Sequence, residues 1–498
     1  MRGCVLSLAL KRRPDAAGVA VAVEQERGPT TAAVQPEVFN LETKGDTAHF
    51  TPNGVKSLIQ HYYRMLTSGN YPSFPALILV GPPGVGKSTA VREAAEGIAR
   101  RLGLRLVDVT SKERRKEVLS AIERCLSDAN PEQCLKNLGY FVFLDLRLTE
   151  VEPADLVGIP YRTGGDDSGR MEYTPPSWAI ILHYLPGILF LDELSNVNRP
   201  DVMSVAYKLL LDRAAGFVDF NRGVMVVAAG NLPEHAPGLA QSLPPPVLNR
   251  SSVVTVDAPS LDEWYKWMAD VIGEAHPSEE VAKDHMDTLN LVYAFLSSFP
   301  EYLMSFKYDP RINENFPTPR SWSHFVFTTP ASLIRSLVAS GNYGALLALV
   351  SSFVGQAAAN EFVPILREGV AINADEVLKN PSLVSELVGG APDDRSKLNR
   401  LVALLGLLAS KLTHALPDVG SDTLVRIAEE LLRAGDMVRV GLGCSAVTVL
   451  YTAINRAWVE LLRQQKGVKQ VGEPIVHKVA AVGNYIKRVC REVQLGRS

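Results

Sequence analysis

A chain of 498 residues, 46% of them hydrophobic, can bury a large core and holds two or three domains. Its formal net charge of −3 sets up no global field that asks for nucleic acid or an anionic membrane. Five scattered cysteines (Cys4, Cys125, Cys134, Cys444 and Cys490) lack C-x-x-C spacing, which argues against a zinc site or a disulfide framework and for a reducing, cytoplasmic setting. Cys125 and Cys134 flank a helix end and are expected as ordinary thiols.

Residues 1–40 read as a loosely ordered arm with one strand at Val19–Val23. The apolar stretch near the start precedes its basic residues, the reverse of a secretory signal. Ala76–Val80 is a short apolar run suited to a buried parallel strand, and it leads into Gly81-Pro82-Pro83-Gly84-Val85-Gly86-Lys87-Ser88-Thr89. Glycines there let the backbone curl around a phosphate chain with its N–H groups pointing inward. Lys87 adds charge for the β- and γ-phosphates, and Ser88 a hydroxyl for Mg²⁺. Ala90–Leu102 is helical and closes on Gly103, so the phosphates would meet a helix N-terminus.

Further apolar runs at Leu104–Val109, Phe141–Leu146, Ile188–Leu191, Val224–Ala229 and Val253–Val256 alternate with helical stretches. That alternation predicts a parallel sheet covered on both faces, over residues 41–260. Ser111–Gly139 reads as a charged helix pair inserted at the edge of this core. It leaves open whether Leu104–Val109 or Phe141–Leu146 runs beside the strand of the phosphate loop. Gly158–Pro176, rich in Gly, Asp and Pro, reads as a loop or hairpin carrying Tyr161, Arg162 and Tyr173.

Ile188–Leu191 ends in Asp192 and Glu193, at the strand tip where ligands collect in open α/β sheets. Asp192 is expected to hold Mg²⁺ through its hydration shell, and Glu193 to orient and deprotonate the attacking water. The next strand ends at Asn231, whose amide suits both that water and a γ-phosphate oxygen.

Helical periodicity takes over after Ser260, at Met286–Ser298, Ser332–Val338, Tyr343–Leu366 and Lys397–Leu412. A further helix is expected from an N-cap at Ser421-Asp422 to a stop at Gly435. The uncharged runs Tyr343–Asn360 and Val440–Asn455 fall short of a membrane span and read as buried helices. The last stretch is mildly basic (Arg456, Arg463, Lys466, Lys469, Lys478, Lys487, Arg488, Arg491 and Arg497) and reads as a solvated face.

Taken in order, Asp155-Leu-Val-Gly158, Gly187–Leu194, Ala229-Gly-Asn231 and Pro246-Val-Leu-Asn-Arg250 resemble the MoxR branch of AAA+ ATPases over residues 50–365. The resemblance implies an α/β P-loop core followed by an all-helical lid, 261–366, here with a helical extension, 367–498. It also implies Mg-ATP as cofactor and a homo-oligomeric, hexameric ring with nucleotides at subunit interfaces. Arg250 matches the arginine finger and Arg320, in Phe-Pro-Thr-Pro-Arg-Ser-Trp322, the lid arginine called sensor 2. The expected activity is ATP hydrolysis coupled to remodelling of a protein client, with a von Willebrand A-type protein as one such partner. The alternatives are a nucleic-acid-directed motor related to McrB-type GTPases and a nucleotide-dependent scaffold. The near-neutral charge disfavours the first, and Glu193 the second. No Asn-Lys-x-Asp guanine signature is present, and ATP is the default by family.

Overall fold

The computed structural model describes residues 42–44, 47–69, 74–163, 169–233, 240–276, 278–306, 314–369, 372–439, 442–464 and 472–495. The expected arm over 1–40 lies outside them, as do Lys466, Lys469 and Arg497. The chain divides into two compact units, one ending at Asp257 and one beginning at Ala258.

In the first unit, strands β1 (Glu42–Lys44) and β2 (Thr47–Phe50) lead into helix α1 (Pro52–Ser68), and β3 (Ala76–Val80) into α2 (Lys87–Arg101). Next come β4 (Arg105–Asp108), α3 (Lys112–Leu126), α4 (Pro131–Asn137), β5 (Tyr140–Arg147) and α5 (Pro153–Val157). A hairpin of β6 (Ile159–Thr163) and β7 (Arg170–Thr174) precedes α6 (Ser177–Tyr184) and β8 (Gly187–Asp192). Then follow α7 (Pro200–Asp212), β9 (Ala214–Ala215), β10 (Val218–Asp219), β11 (Val224–Gly230), α8 (Pro245–Leu248) and β12 (Ser251–Val256).

The main sheet runs in the order β1-β2-β12-β3-β11-β8-β5-β4, and every pairing except β1–β2 is parallel. The expected α/β class is therefore what the chain adopts. Strands β3, β8 and β11 are buried almost throughout, as near-continuous aliphatic runs must be when both faces are covered. Ile78, Leu144, Leu189, Val226 and Ala228 pack against Trp178 and Leu182 of α6 and Val202, Ala206 and Leu209 of α7. On the other face Tyr63 of α1 meets Phe141 edge-on at 5.4 Å, and the Arg92 guanidinium of α2 lies 4.9 Å above the Phe143 ring.

Neither run left open as neighbour to the phosphate-loop strand holds that place. β3 pairs with β11 and β12, β5 pairs with β8, and β4 is the outer edge. Adjacency in a doubly wound sheet follows crossover topology rather than sequence order. Ser111–Gly139 is the expected helix pair, capped by the Ser111 hydroxyl, but its cysteines are not free. Cys125 and Cys134 form a disulfide, with Cα atoms 5.2 Å apart where α4 folds back on α3. Cys444 and Cys490 form a second across 46 residues. Sequence spacing does not register pairs that helices bring together, so the argument from unpaired thiols for a reducing compartment loses its premise.

The second unit is all-helical: α9 (Leu261–Ala275), α10 (Glu279–Ser298), α11 (Pro319–Thr328), α12 (Ala331–Ala339), α13 (Tyr343–Gly369), α14 (Ala374–Lys379), α15 (Leu383–Gly389), α16 (Asp394–Ala415), α17 (Ser421–Val438), α18 (Leu442–Gln464) and α19 (Gly472–Leu495). One hydrophobic core runs through it, from Trp264 to Tyr485. Helix α13 is long and apolar enough to cross a membrane, more so than the sequence reading allows. It breaks at Gly355 (φ 79°), where the Asn315 carbonyl leaves no room for a Cβ, and its buried side chains, Val354 and Phe362 among them, join the core.

Gly435 does not stop α17, and its cap is Gly420 rather than Ser421. Gly435 is buried inside the helix, and a Cβ there would lie 2.5 Å from Gly443, so it serves the crossing of α17 and α18. Within the basic tail, Lys478 donates to the Leu416 and Pro417 carbonyls at the end of α16.

Candidate functional site

The parallel register brings the C-terminal tips of β3, β11, β8 and β5 to one edge of the sheet: Val80 opposite Gly230, Leu191 opposite Ala228, and Asp192 opposite Arg147. The phosphate loop, Gly81 to Gly86, leaves β3 at that edge and turns into α2 through left-handed glycines, Gly84 (φ 80°) and Gly86 (φ 103°). A side chain at Gly81 would strike the Val256 carbonyl at 2.3 Å, which excludes every other residue there.

Lys87 is buried and donates to the carbonyls of Gly81 and Pro82, both at 2.8 Å, and to Asn231 Oδ1 at 3.2 Å. Ser88 Oγ donates to Asp192 Oδ2 at 3.0 Å. The structure thus brings together Lys87, Ser88, Asp192 and Asn231, residues up to 144 positions apart. Asp192 Oδ1 also accepts from the Glu193 backbone N–H at 2.9 Å. Glu193 itself sits at φ 61°, a left-handed conformation that costs a non-glycine residue on the order of 1 kcal/mol. The strain marks a side chain aimed by its turn.

Sequence reasoning missed several residues. Thr149, two positions beyond β5, donates through Oγ1 to Glu193 Oε2 at 2.6 Å. Its only sequence signal is its place just after the strand that pairs with β8. Ser195 accepts at Oγ from the Asn231 N–H at 2.7 Å. Asp145, near the tip of β5, has a carboxylate oxygen, Oδ1, that is buried and has no hydrogen-bond partner among the described residues. Burial, reinforced by the neighbouring Asp192 charge, pushes the Asp145 carboxyl up to about 6.

Oxygen donors of this kind suit a small hard cation. Mg²⁺ keeps several waters and takes one or two carboxylates plus phosphate oxygens rather than a full protein cage. No cluster of three or more His, Cys, Asp or Glu gathers among the described residues, whereas Ser88 and Asp192 already touch beside the unsatisfied Asp145 oxygen. The residues present fit Mg²⁺.

Arg250 follows α8 at the start of β12. It is exposed, and its guanidinium has no hydrogen bond or ion pair among the described residues. Arg320 is the second residue of α11, in the helical unit, and is likewise exposed.

The expected loop at Gly158–Pro176 is the β6–β7 hairpin. On it Ile159 (64% exposed) and Tyr161 lie on one face, and Met171 (69%) and Tyr173 on the other. Phe217, 78% exposed in the β9–β10 turn, extends the Met171–Tyr173 face: its ring lies 5.3 Å from Tyr173, with Lys208 Nζ 5.8 Å above it.

No protein-family model matches the chain, and no curated protein matches it by sequence. Similarity to solved structures is distant. PCH-2 of C. elegans is 11% identical over 71% of this chain and 67% of its own, with a TM-score of 0.23. The ORC2 protein of Aeropyrum pernix, solved as ADPNP and ADP complexes, is 13% identical over 88% and 93%, with a TM-score of 0.27. NtrX of Brucella abortus, solved with ATP, is 14% identical over 65% and 69%, with a TM-score of 0.28. At these scores the reading of this site rests on its own geometry.

Proposed function

We propose that the chain is an AAA+ ATPase of the MoxR-like kind, which binds and hydrolyses Mg-ATP and uses the cycle to remodel a protein partner. The observation that carries this is the meeting of Lys87, Asn231, Ser88 and Asp192 at the phosphate loop, with Glu193 one residue beyond. The loop N–H groups and Lys87 bind the phosphate chain, and Asn231 holds the γ-phosphate and the attacking water. Ser88 and Asp192 would hold Mg²⁺, which would supply neutralisation of charge on the β- and γ-phosphates. Glu193 orients the water and accepts its proton at a carboxylate oxygen.

Arg250 suits a finger acting on a neighbouring subunit, because an exposed, unengaged guanidinium costs little to redirect. That role calls for a homo-oligomeric ring, a hexamer by resemblance, with Arg320 as the lid arginine. The hairpin face of Met171 and Tyr173, extended by Phe217, suits a protein client such as a von Willebrand A-type partner. Arg162 and Lys208 share that face, but its exposed apolar side chains favour a protein partner over a nucleic-acid substrate.

The test is a titration of labelled ATP together with a phosphate-release assay. Wild type should bind and turn over, and Lys87→Ala should do neither. Unchanged ATP affinity in Lys87→Ala, or no turnover in the wild-type protein with Mg²⁺, overturns the reading.

A further inference from the structure

We infer that Ser195 is a positioning residue for Asn231, locking the tip of β11 to the acidic turn so that the amide and Glu193 are presented together. The inference rests on the phosphohydrolase reading and adds a residue to it. Ser195 lies in the single 3₁₀ turn Leu194–Asn196 that follows Glu193, and it is 3% exposed. Its Oγ accepts from the Asn231 backbone N–H at 2.7 Å, a short bond for an amide donor. Its carbonyl accepts from the Gln241 N–H at 2.7 Å, which holds the turn from the other side.

The fit depends on Gly230. A Cβ there would lie 2.7 Å from Ser195 Oγ and 3.0 Å from Ser195 Cβ, so the hydroxyl seats only because the preceding residue has no side chain. Asn231 Oδ1 is at the same time the acceptor of Lys87 Nζ. A shift of the Asn231 backbone therefore moves an amide that faces the phosphate loop. The acidic turn and the amide strand are joined at this hydroxyl, and misplacing a reacting group by about 1 Å costs on the order of 100-fold in rate.

The experiment is a double-mutant cycle of Ser195→Ala and Asn231→Ala, measuring ATP affinity and kcat separately. Ser195→Ala should lower kcat about 10–100-fold and leave the ATP Kd within about 2-fold. In the Asn231→Ala background the same change should cost little more, because the side-chain amide that the bond positions is gone. Gly230→Ala, which keeps the hydroxyl but displaces it, should reproduce the kcat loss and guards against a Ser195→Ala protein that fails to fold. Losses that multiply in full, or a Kd that rises as much as kcat falls, overturn the inference. Turnover lost in Asn231→Ala but kept in Ser195→Ala sinks it while leaving the ATPase reading intact. A wild-type protein without turnover sinks both.

Discussion

Thr149 Oγ1 donates to Glu193 Oε2 across 2.6 Å, which ties the proposed base to the strand beside its own. Glu193 stands in a left-handed conformation, so its direction is set by the turn beneath it and by this one hydroxyl. Removing the hydroxyl in Thr149→Val should lower kcat about 10-fold without changing ATP affinity, since geometry precedes basicity in proton transfer. Steady-state turnover beside equilibrium binding checks this, and equal kcat in the two proteins would remove Thr149 from the mechanism.

Glu193→Gln keeps the shape of the side chain and removes its capacity to take a proton. ATP affinity should be retained and turnover should fall by about 100-fold or more, in line with the loss of a general base. Phosphate release under single-turnover conditions is the measurement. Wild-type rates in Glu193→Gln would mean that another group activates the water.

The Arg250 guanidinium is exposed and makes no hydrogen bond or ion pair among the described residues, so Arg250→Ala should leave stability within about 0.5 kcal/mol. It should still abolish turnover with ATP binding intact. Mixing it with Lys87→Ala subunits should restore part of the activity if the finger acts in trans, because each variant supplies the half-site the other lacks. A mixture as inactive as its components would argue against a shared site.

Asp145 holds its proton more tightly when folded, up to about 6, than a carboxyl does in an unfolded chain. The folded state thus binds more protons through the acidic range. The Asp145 contribution is fully present below the ordinary carboxylate pKa near 3.8 and is lost as pH rises through 6. In metal-free buffer, Asp145→Asn should therefore raise the melting temperature at pH 7.5, and the gain should vanish near pH 3.5. Thermal scans in EDTA across that range would show it, and a gain independent of pH would point to packing instead.

The two disulfides close loops of very different length, nine residues for Cys125–Cys134 and 46 for Cys444–Cys490. Chain entropy gives about 2.5 kcal/mol for the first and about 4 kcal/mol for the second. Intact mass with and without reductant should report both bonds. Cys490→Ser should destabilise more than Cys134→Ser in denaturant unfolding, and the reverse order would contradict the loop-length account.

The phosphate loop, the acidic strand tip and Asn231 were legible in the sequence because each is local: a turn that needs glycine, or a polar residue ending an apolar run. Alternation of apolar runs with helices likewise foretold a parallel sheet and the change to an all-helical unit after Ser260. Strand order was not legible, and it is strand order that puts β11 between β3 and β8 and so lets Lys87 reach Asn231. Thr149, Ser195 and Asp145 belong to ordinary residue types, and each matters only through what the fold sets beside it: Glu193, the Asn231 N–H and Asp192. Gly435 reads as a helix stop in the sequence and is a helix crossing in the fold, because only packing reveals that Gly443 needs the space. The sequence by itself determined which groups are candidates for a phosphate site. Tertiary structure decided which of them touch, because contact depends on crossovers and registers that join residues far apart along the chain.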